Sequence, residues 1–349
     1  MLLHGPSRGV RELTLTRDGW TALELARCLT AFGTALSVVL LALLVLAYAT
    51  RPPAMALVTV LPPWFWAAPG VLAAIFARRP GAGRRTAGIL AMWLAFILVF
   101  CEEPRAAVTG FKAWPAPDWK RAKESGNGLR VLTFNCGDGH GAAVREALSF
   151  SPDIVVLEES PTETEIRQEL ASHPDMRLMY GFDVSIIARG ELTPAAPKQA
   201  RWMFNAAYAT VGRLRLAIVG LRLRVPHFSF ALWDPREWRL AAESQRDHGA
   251  EVSYVLQQLA GLDEGVPLVL AGDFNAPAGD PVFRTLPDRL RDSFREAGIG
   301  LGNTMMNDLP VSRIDQIWVD RRLRLHGTVS RKTATSDHRL VIADVSLSP

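Results

Sequence analysis

Val266-Pro-Leu-Val-Leu-Ala-Gly-Asp-Phe-Asn-Ala276 decides the fold of this chain. An apolar run breaks at Gly272 and delivers a carboxylate, Asp273, and an amide, Asn275, just beyond it. The run is apolar almost throughout, which predicts a strand covered on both faces. Working outward, the same pattern recurs. Arg130-Val-Leu-Thr-Phe134 ends at Asn135, Asp153-Ile-Val-Val-Leu157 ends at Glu158 and Glu159, and Ile314 to Val319 carries Asp315. Val184 to Ala188, Leu214 to Leu223 and Leu340 to Val345 read as further strands. Gly141 to Phe150 and Trp238 to Leu259 have helical spacing; the second is expected to bury Leu240, Val252, Val255, Leu256 and Leu259. Strands alternating with helices predict an α/β domain, and polar residues gathered at strand ends predict a site built by a rigid sheet.

The 349-residue chain is 49% hydrophobic with a net charge of +4, which excludes a disordered chain. The apolar weight lies in residues 1–105. Residues 29–49 carry no charge and match the length that crosses a bilayer. Residues 55–77 form a second run, interrupted by Pro62, Pro63 and Pro69, and residues 87–101 a shorter third. Three transmembrane helices are therefore expected. Arg8, Arg11, Arg17 and Arg27 precede the first; Arg78, Arg79, Arg84 and Arg85 lie between the second and third. The positive-inside rule puts the amino terminus in the cytoplasm of a bacterial inner or plasma membrane and the carboxy-terminal domain outside it. Residues 106–128 read as a linker, solvated or touching headgroups through Trp114 and Trp119, and residues 129–349 as the soluble domain. Cys28, Cys101 and Cys136 have neither a disulfide pattern nor a zinc spacing.

The polar residues suit metal-assisted phosphate chemistry. Carboxylates and amides are hard ligands for Mg2+ or Mn2+, a role that fits Glu159 and Asn135. Asp273 suits activation of a water; Asn275 and His338 suit contact with phosphoryl oxygens, with Asp315 or Asp337 fixing the histidine. Singly, each has an ordinary explanation: a turn asparagine, a solvated loop glutamate, a surface ion pair. Their order and placement carry the reading.

That order resembles the endonuclease/exonuclease/phosphatase superfamily of divalent-metal phosphoesterases. The likeness runs through Val131-Leu-Thr-Phe-Asn135, Pro152-Asp-Ile-Val-Val-Leu-Glu-Glu159, Asp183-Val-Ser-Ile-Ile-Ala-Arg189, Gly272-Asp-Phe-Asn275, Arg313-Ile-Asp-Gln-Ile317 and Ser336-Asp-His338. The resemblance implies a four-layered α/β/β/α sandwich of two mixed sheets. It also implies that Asp273, Asn275, Asp315 and His338 are catalytic, that Asn275 and His338 hold substrate, that Glu159 and Asn135 bind metal, and that Asp337 helps bind metal or braces the histidine; Arg222, outside the family pattern, brings positive charge suited to holding the substrate phosphate. Glu158 stands where the family usually has Gln. Arg222 stands where many members have a histidine; it stays protonated and makes a poor general acid, leaving His227 as a nearby substitute.

The function expected is a membrane-anchored phosphoesterase working by in-line attack of water, with a non-catalytic binding module as the alternative. Its substrate is a nucleic acid, a phospholipid headgroup or a soluble phosphate ester. Arg213, Arg215, Arg222, Arg224 and the cluster Arg321, Arg322, Arg324 read as a possible basic groove or as solvated strand edges. A lipid bilayer is the expected partner, with no obligate protein partner.

Overall fold

Alternate side chains of the strand Leu214–Arg222 enter two different cores: Leu216 and Ile218 one, Ala217, Val219 and Leu221 the other. Both faces are covered, as the apolar run requires. The computed structural model describes residues 22–76, 83–137, 140–195 and 203–347. The strands are β1 (Gly128–Asn135), β2 (Ile154–Glu158), β3 (Met176–Met179), β4 (Val184–Arg189), β5 (Glu191–Pro194), β6 (Phe204–Val211), β7 (Leu214–Arg222), β8 (Leu268–Asp273), β9 (Leu290–Asp292), β10 (Asp315–Asp320), β11 (Leu323–Arg331) and β12 (Leu340–Leu347). They form two six-stranded sheets, β11-β12-β1-β2-β4-β3 and β5-β6-β7-β8-β10-β9. β1 and β2 are parallel, as are β7 and β8, and the neighbours β1/β12 and β8/β10 are antiparallel, so both sheets are mixed.

The sheets pack face to face through Val131, Val156 and Ile186 of one and Ile218, Val269 and Ile317 of the other. The outer face of the first sheet is covered by the helices Gly141–Ser149 and Glu163–Leu170, through Val144, Leu148 and Ile166. The outer face of the second is covered by the helix Pro235–Gln258, through Val252 and Val255. This is the four-layered α/β/β/α sandwich. One expected core position is wrong: Leu240 is exposed, and Ala241 and Ala242 turn inward instead.

The chain divides into two compact units. One takes in Trp64–Val99 with the chain up to Val45; the other takes in Leu46–Pro63 and Phe100–Pro349. In the first unit, Ser37 is fully buried; its hydroxyl donates to the Gly70 carbonyl and accepts from the Trp93 indole. A Cβ on Gly70 would lie 1.9 Å from the Trp93 ring, so only glycine fits. Among the described residues, two helices, Glu24–Thr50 and Gly83–Phe100, are long and apolar enough to cross a membrane, and three spans are reached if Pro53–Thr59 and Pro63–Phe76 count as one broken span. The second run is thus divided, its two helices bent by 77° at the break. The third is longer than expected, because Arg84 and Arg85 join its helix; 18 residues at about 1.5 Å reach nearly 30 Å. Arg8, Arg11, Arg17, Arg78 and Arg79 lie outside the described residues.

Residues 106–128, expected as a linker, hold the helix Pro117–Glu124 and part of Glu103–Thr109. Trp119 is buried and donates to the Leu129 carbonyl, and the Arg130 guanidinium lies against both the Trp114 and Trp119 rings. Neither indole is free to sit among headgroups.

Candidate active site

Strand register assembles the site. Asn135 and Glu158, the last residues of β1 and β2, are partners in the parallel pair. Asp273, the last of β8, faces Arg222 at the end of β7 and Asp315 at the start of β10. Gly272 permits this closeness: its φ is 146°, and a Cβ there would lie 1.8 Å from the Leu221 carbonyl oxygen. His338 arrives on the loop before β12, which Ser336 pins to β1 by donating its hydroxyl to the Asn135 carbonyl at 2.8 Å.

Asp273 is fixed from three directions. Its Oδ1 accepts from the Asn275 backbone N–H at 2.9 Å; its Oδ2 accepts from the side-chain amides of Asn135 at 3.0 Å and Asn275 at 3.2 Å. Asn135 also donates to Glu159 at 3.2 Å, so Glu159 shares the pocket. Asn275 gives its other N–H to the Leu223 carbonyl. Asp315 is fully buried and contacts His338 Nδ1 at 2.9 Å and 3.2 Å, while the Thr304 hydroxyl accepts from the backbone N–H groups of Ile314 and Asp315. Donor atoms of Asp273, Asp315 and His338 all lie within 4.8 Å of one another.

Arg222 reaches into the same charge cluster, donating to Glu159 at 2.7 Å and to Asp183 at 3.3 Å, with its Nε–H buried and unpartnered. Asp183 is a site neighbour that sequence reading did not single out; its place just before β4 was the available signal. His227 pairs with Glu237 at 2.8 Å. Asp337 is exposed and stands at the rim: its Oδ1 is 3.4 Å from where a Cβ of Gly137 would lie. Two site residues are in the left-handed region, Glu159 at φ 45° and Asn275 at φ 47°; asparagine adopts it readily, glutamate at a cost.

The electrostatics are unbalanced. Burial, then the Asp315 carboxylate, pushes Asp273 up to about 7. Burial opposes charge on His338, but Asp315 outweighs it and holds the imidazole up to about 10. Burial likewise opposes Arg222, and Asp183 with Glu159 raise it further above its ordinary value. Glu158 is wholly buried; Thr133 donates to its Oε1 at 2.6 Å, its Oε2 has no partner, and burial raises its pKa well above the carboxylate range. Acids outnumber cations here, and their donors are oxygens. The set suits a hard divalent cation.

A model of a family described as Endonuclease/Exonuclease/phosphatase matches residues 132–338. Among solved structures, a family protein from Bacteroides thetaiotaomicron is 13% identical, with 64% of this chain and 98% of that one covered and a TM-score of 0.49. The human Nocturnin catalytic domain with bound sulfate is 15% identical, covering 64% and 94%, with a TM-score of 0.47. A mannosyl-6-phosphatase from Bacteroides thetaiotaomicron is 14% identical, covering 63% and 100%, with a TM-score of 0.48. No curated protein matches the chain.

Proposed function

This chain belongs to the endonuclease/exonuclease/phosphatase family, and on that premise we propose that it is a membrane-anchored, divalent-metal-dependent hydrolase of phosphate esters. One observation carries the reading: Asn135, Glu159, Asp273, Asn275, Asp315 and His338, spread over some two hundred positions, meet in one hydrogen-bonded cluster.

Mg2+ or Mn2+ would be held by Glu159 and Asn135, with Asp337 at the rim, and would offset phosphoryl charge when bound. Asp273 orients the attacking water and takes its proton; a carboxylate at about 7 is poised for that exchange near neutral pH. Asn275 braces Asp273 and exchanges that hydrogen bond for one to a phosphoryl oxygen. Asp315 keeps His338 charged, so the imidazolium donates to the phosphoryl group without leaving its place. Arg222 meets negative charge but does not release a proton. His338 is then the cluster's titratable donor toward the leaving oxygen.

The test is hydrolysis of bis-p-nitrophenyl phosphate by the full chain in detergent with Mg2+ or Mn2+. Asp273→Ala is expected to lose about a thousandfold in rate. The Arg222 to Glu159 ion pair, a protein cation already on a proposed metal ligand, favours a second reading as a non-catalytic binding module. Equal, metal-insensitive rates for wild type and variant would select that reading.

The membrane assignment rests on the two long apolar helices and on the exposed Leu29, Phe32, Val39 and Leu43 of the first. With the amino terminus cytoplasmic, three crossings put the phosphoesterase outside. An alkaline phosphatase fusion after Glu124 should then be active in a bacterial host; an expressed, inactive fusion would put the domain in the cytoplasm.

A further inference from the structure

Three loops flank the site, and each presents large apolar side chains to solvent. Phe182, 76% exposed, precedes the Asp183 that pairs with Arg222. The loop after β7, whose Leu223 carbonyl accepts from Asn275, carries Val225 and Trp233, 63% and 84% exposed. The loop in which Met305 bridges to His338 carries Met306 and Leu309, 50% and 70% exposed. Isolated exposed apolar residues are ordinary, but three loops that each adjoin a site residue and each expose a large apolar side chain are not. Trp, Phe and Leu are the side chains that enter a lipid interface.

The unit that holds the site also contains the last turn of one candidate span and the last residue of the other. Arg51 directly follows Thr50, the end of the helix Glu24–Thr50, and donates to the carbonyl of Ala278, just past Asn275. Glu102 follows Phe100, the end of the helix Gly83–Phe100, and grips Arg313, just before Asp315. At most one residue, Cys101, intervenes. A cleft with Asn275 and Pro277 on one side has Ala56, Thr59 and Val60 on the other. The segments bearing Asn275 and Asp315 are therefore tied to residues that sit at the edge of the bilayer.

Most of the basic residues that would track a nucleic acid lie elsewhere. Arg213 and Arg215 are at the opposite end of β7 from Arg222, roughly 20–30 Å away at the rise of a strand. Arg321, Arg322 and Arg324 follow the far end of β10. Arg222, Arg224 and Arg313, the ones beside the site, are already engaged by carboxylates.

Building on the phosphoesterase reading, we propose that the substrate is a lipid phosphate ester drawn from the bilayer that anchors the chain, with the apolar loops seated in its headgroup layer. Water oxygen bonds to phosphorus, the P–O bond to the leaving alcohol breaks, and the proton taken from water is returned to that alcohol. The tails stay in the membrane, and tethering holds enzyme and headgroup at high effective concentration.

The full chain in phosphatidylcholine vesicles containing phosphatidic acid or phosphatidylglycerol, with Mn2+ or Mg2+, tests this. Glycerol 3-phosphate and a single-stranded oligodeoxynucleotide are parallel arms, and bis-p-nitrophenyl phosphate is the control. One lipid arm is expected to turn over at least tenfold faster than either parallel arm. Trp233→Ser combined with Leu309→Ser, both at exposed positions, should lower the ratio of lipid to bis-p-nitrophenyl phosphate turnover at least tenfold. Hydrolysis of the control with no lipid preference, with the oligonucleotide favoured, or with an unchanged ratio in the variant overturns the lipid assignment alone. Failure on every substrate, control included, removes the phosphoesterase reading beneath it.

Discussion

The two ends of the sandwich both gather arginine and carboxylate, and they treat the charge differently. At the far end, Arg322 spends every guanidinium N–H: on both oxygens of Asp320 and on the carbonyls of Glu264, Gly265 and Val266. Asp320 also accepts from the backbone N–H of Leu268 and Arg322. At the site end, Arg222 leaves its Nε–H unpartnered, Glu158 leaves an oxygen unpartnered, and Asp273 and Asp315 crowd one histidine. A knot that closes its hydrogen bonds serves the fold. One that leaves buried polar atoms and surplus charge costs stability, and such sites persist where a ligand completes them.

The sharpest way to break that contrast is at Asp315. In the wild type, His338 keeps its proton until about 10. In Asp315→Asn the main support for that charge is gone and burial opposes it, so the imidazole should deprotonate near or below its ordinary pKa of about 6.5. Loss of kcat/KM should reach about a hundredfold at pH 8 and shrink toward pH 5.5, where both proteins hold the proton. Parallel pH–rate profiles for wild type and variant would count against the assigned role.

At the far end the effect should fall on stability alone. Arg322→Ala strands Asp320, which is buried, although Arg322 itself is partly exposed, so the loss should be about 2 kcal/mol. Urea unfolding in detergent reads the loss, while turnover per folded molecule should hold. A fall in turnover per folded molecule would mean that the two ends are coupled.

Arg222→Met tests whether a protein cation occupies charge that a metal would otherwise meet. Removing it frees Glu159 and Asp183, and affinity for Mn2+ should rise about tenfold, some 1.4 kcal/mol, by calorimetry. Unchanged or weaker binding would show that Arg222 organises the ligands rather than competing for them.

Legibility in the sequence followed the same division. β1, β2, β8 and β10 lie inside their sheets, so their apolar runs were unmistakable, and the polar residue ending or beginning each run was the site residue. The strands that escaped reading include β3, β5, β9 and β11, the edges of the two sheets. An edge strand has one paired side, is often short, and carries solvent-facing polar residues that dilute its pattern. β6 escaped because Phe204–Val211 is rich in alanine, with a buried Asn205. The helix Glu163–Leu170 had a signal that went unused, the reciprocal capping box of Thr162 and Glu165. Contacts such as Arg130 against Trp114 and Trp119, or Glu102 on Arg313, have no periodicity to announce them.

The smallest expected effect concerns Glu158, the resident of the site end with the least to do in the chemistry. Its carboxyl is wholly buried beside Asp315 and Asp273, and burial keeps it protonated well above the range of an exposed carboxylate. The sign follows from linkage. The folded chain binds a proton that the unfolded chain releases near pH 4.3, so stability is greatest below that pH and declines as pH rises toward the folded value. Glu158→Gln keeps the shape and the Thr133 hydrogen bond and removes the titration. In chelator, the variant should gain about 1 kcal/mol at pH 8 and nothing at pH 4, by thermal unfolding at each pH. A constant gain would trace to packing, whereas a loss at pH 8 would mean that the carboxylate is charged in the folded protein and has a cation to hold.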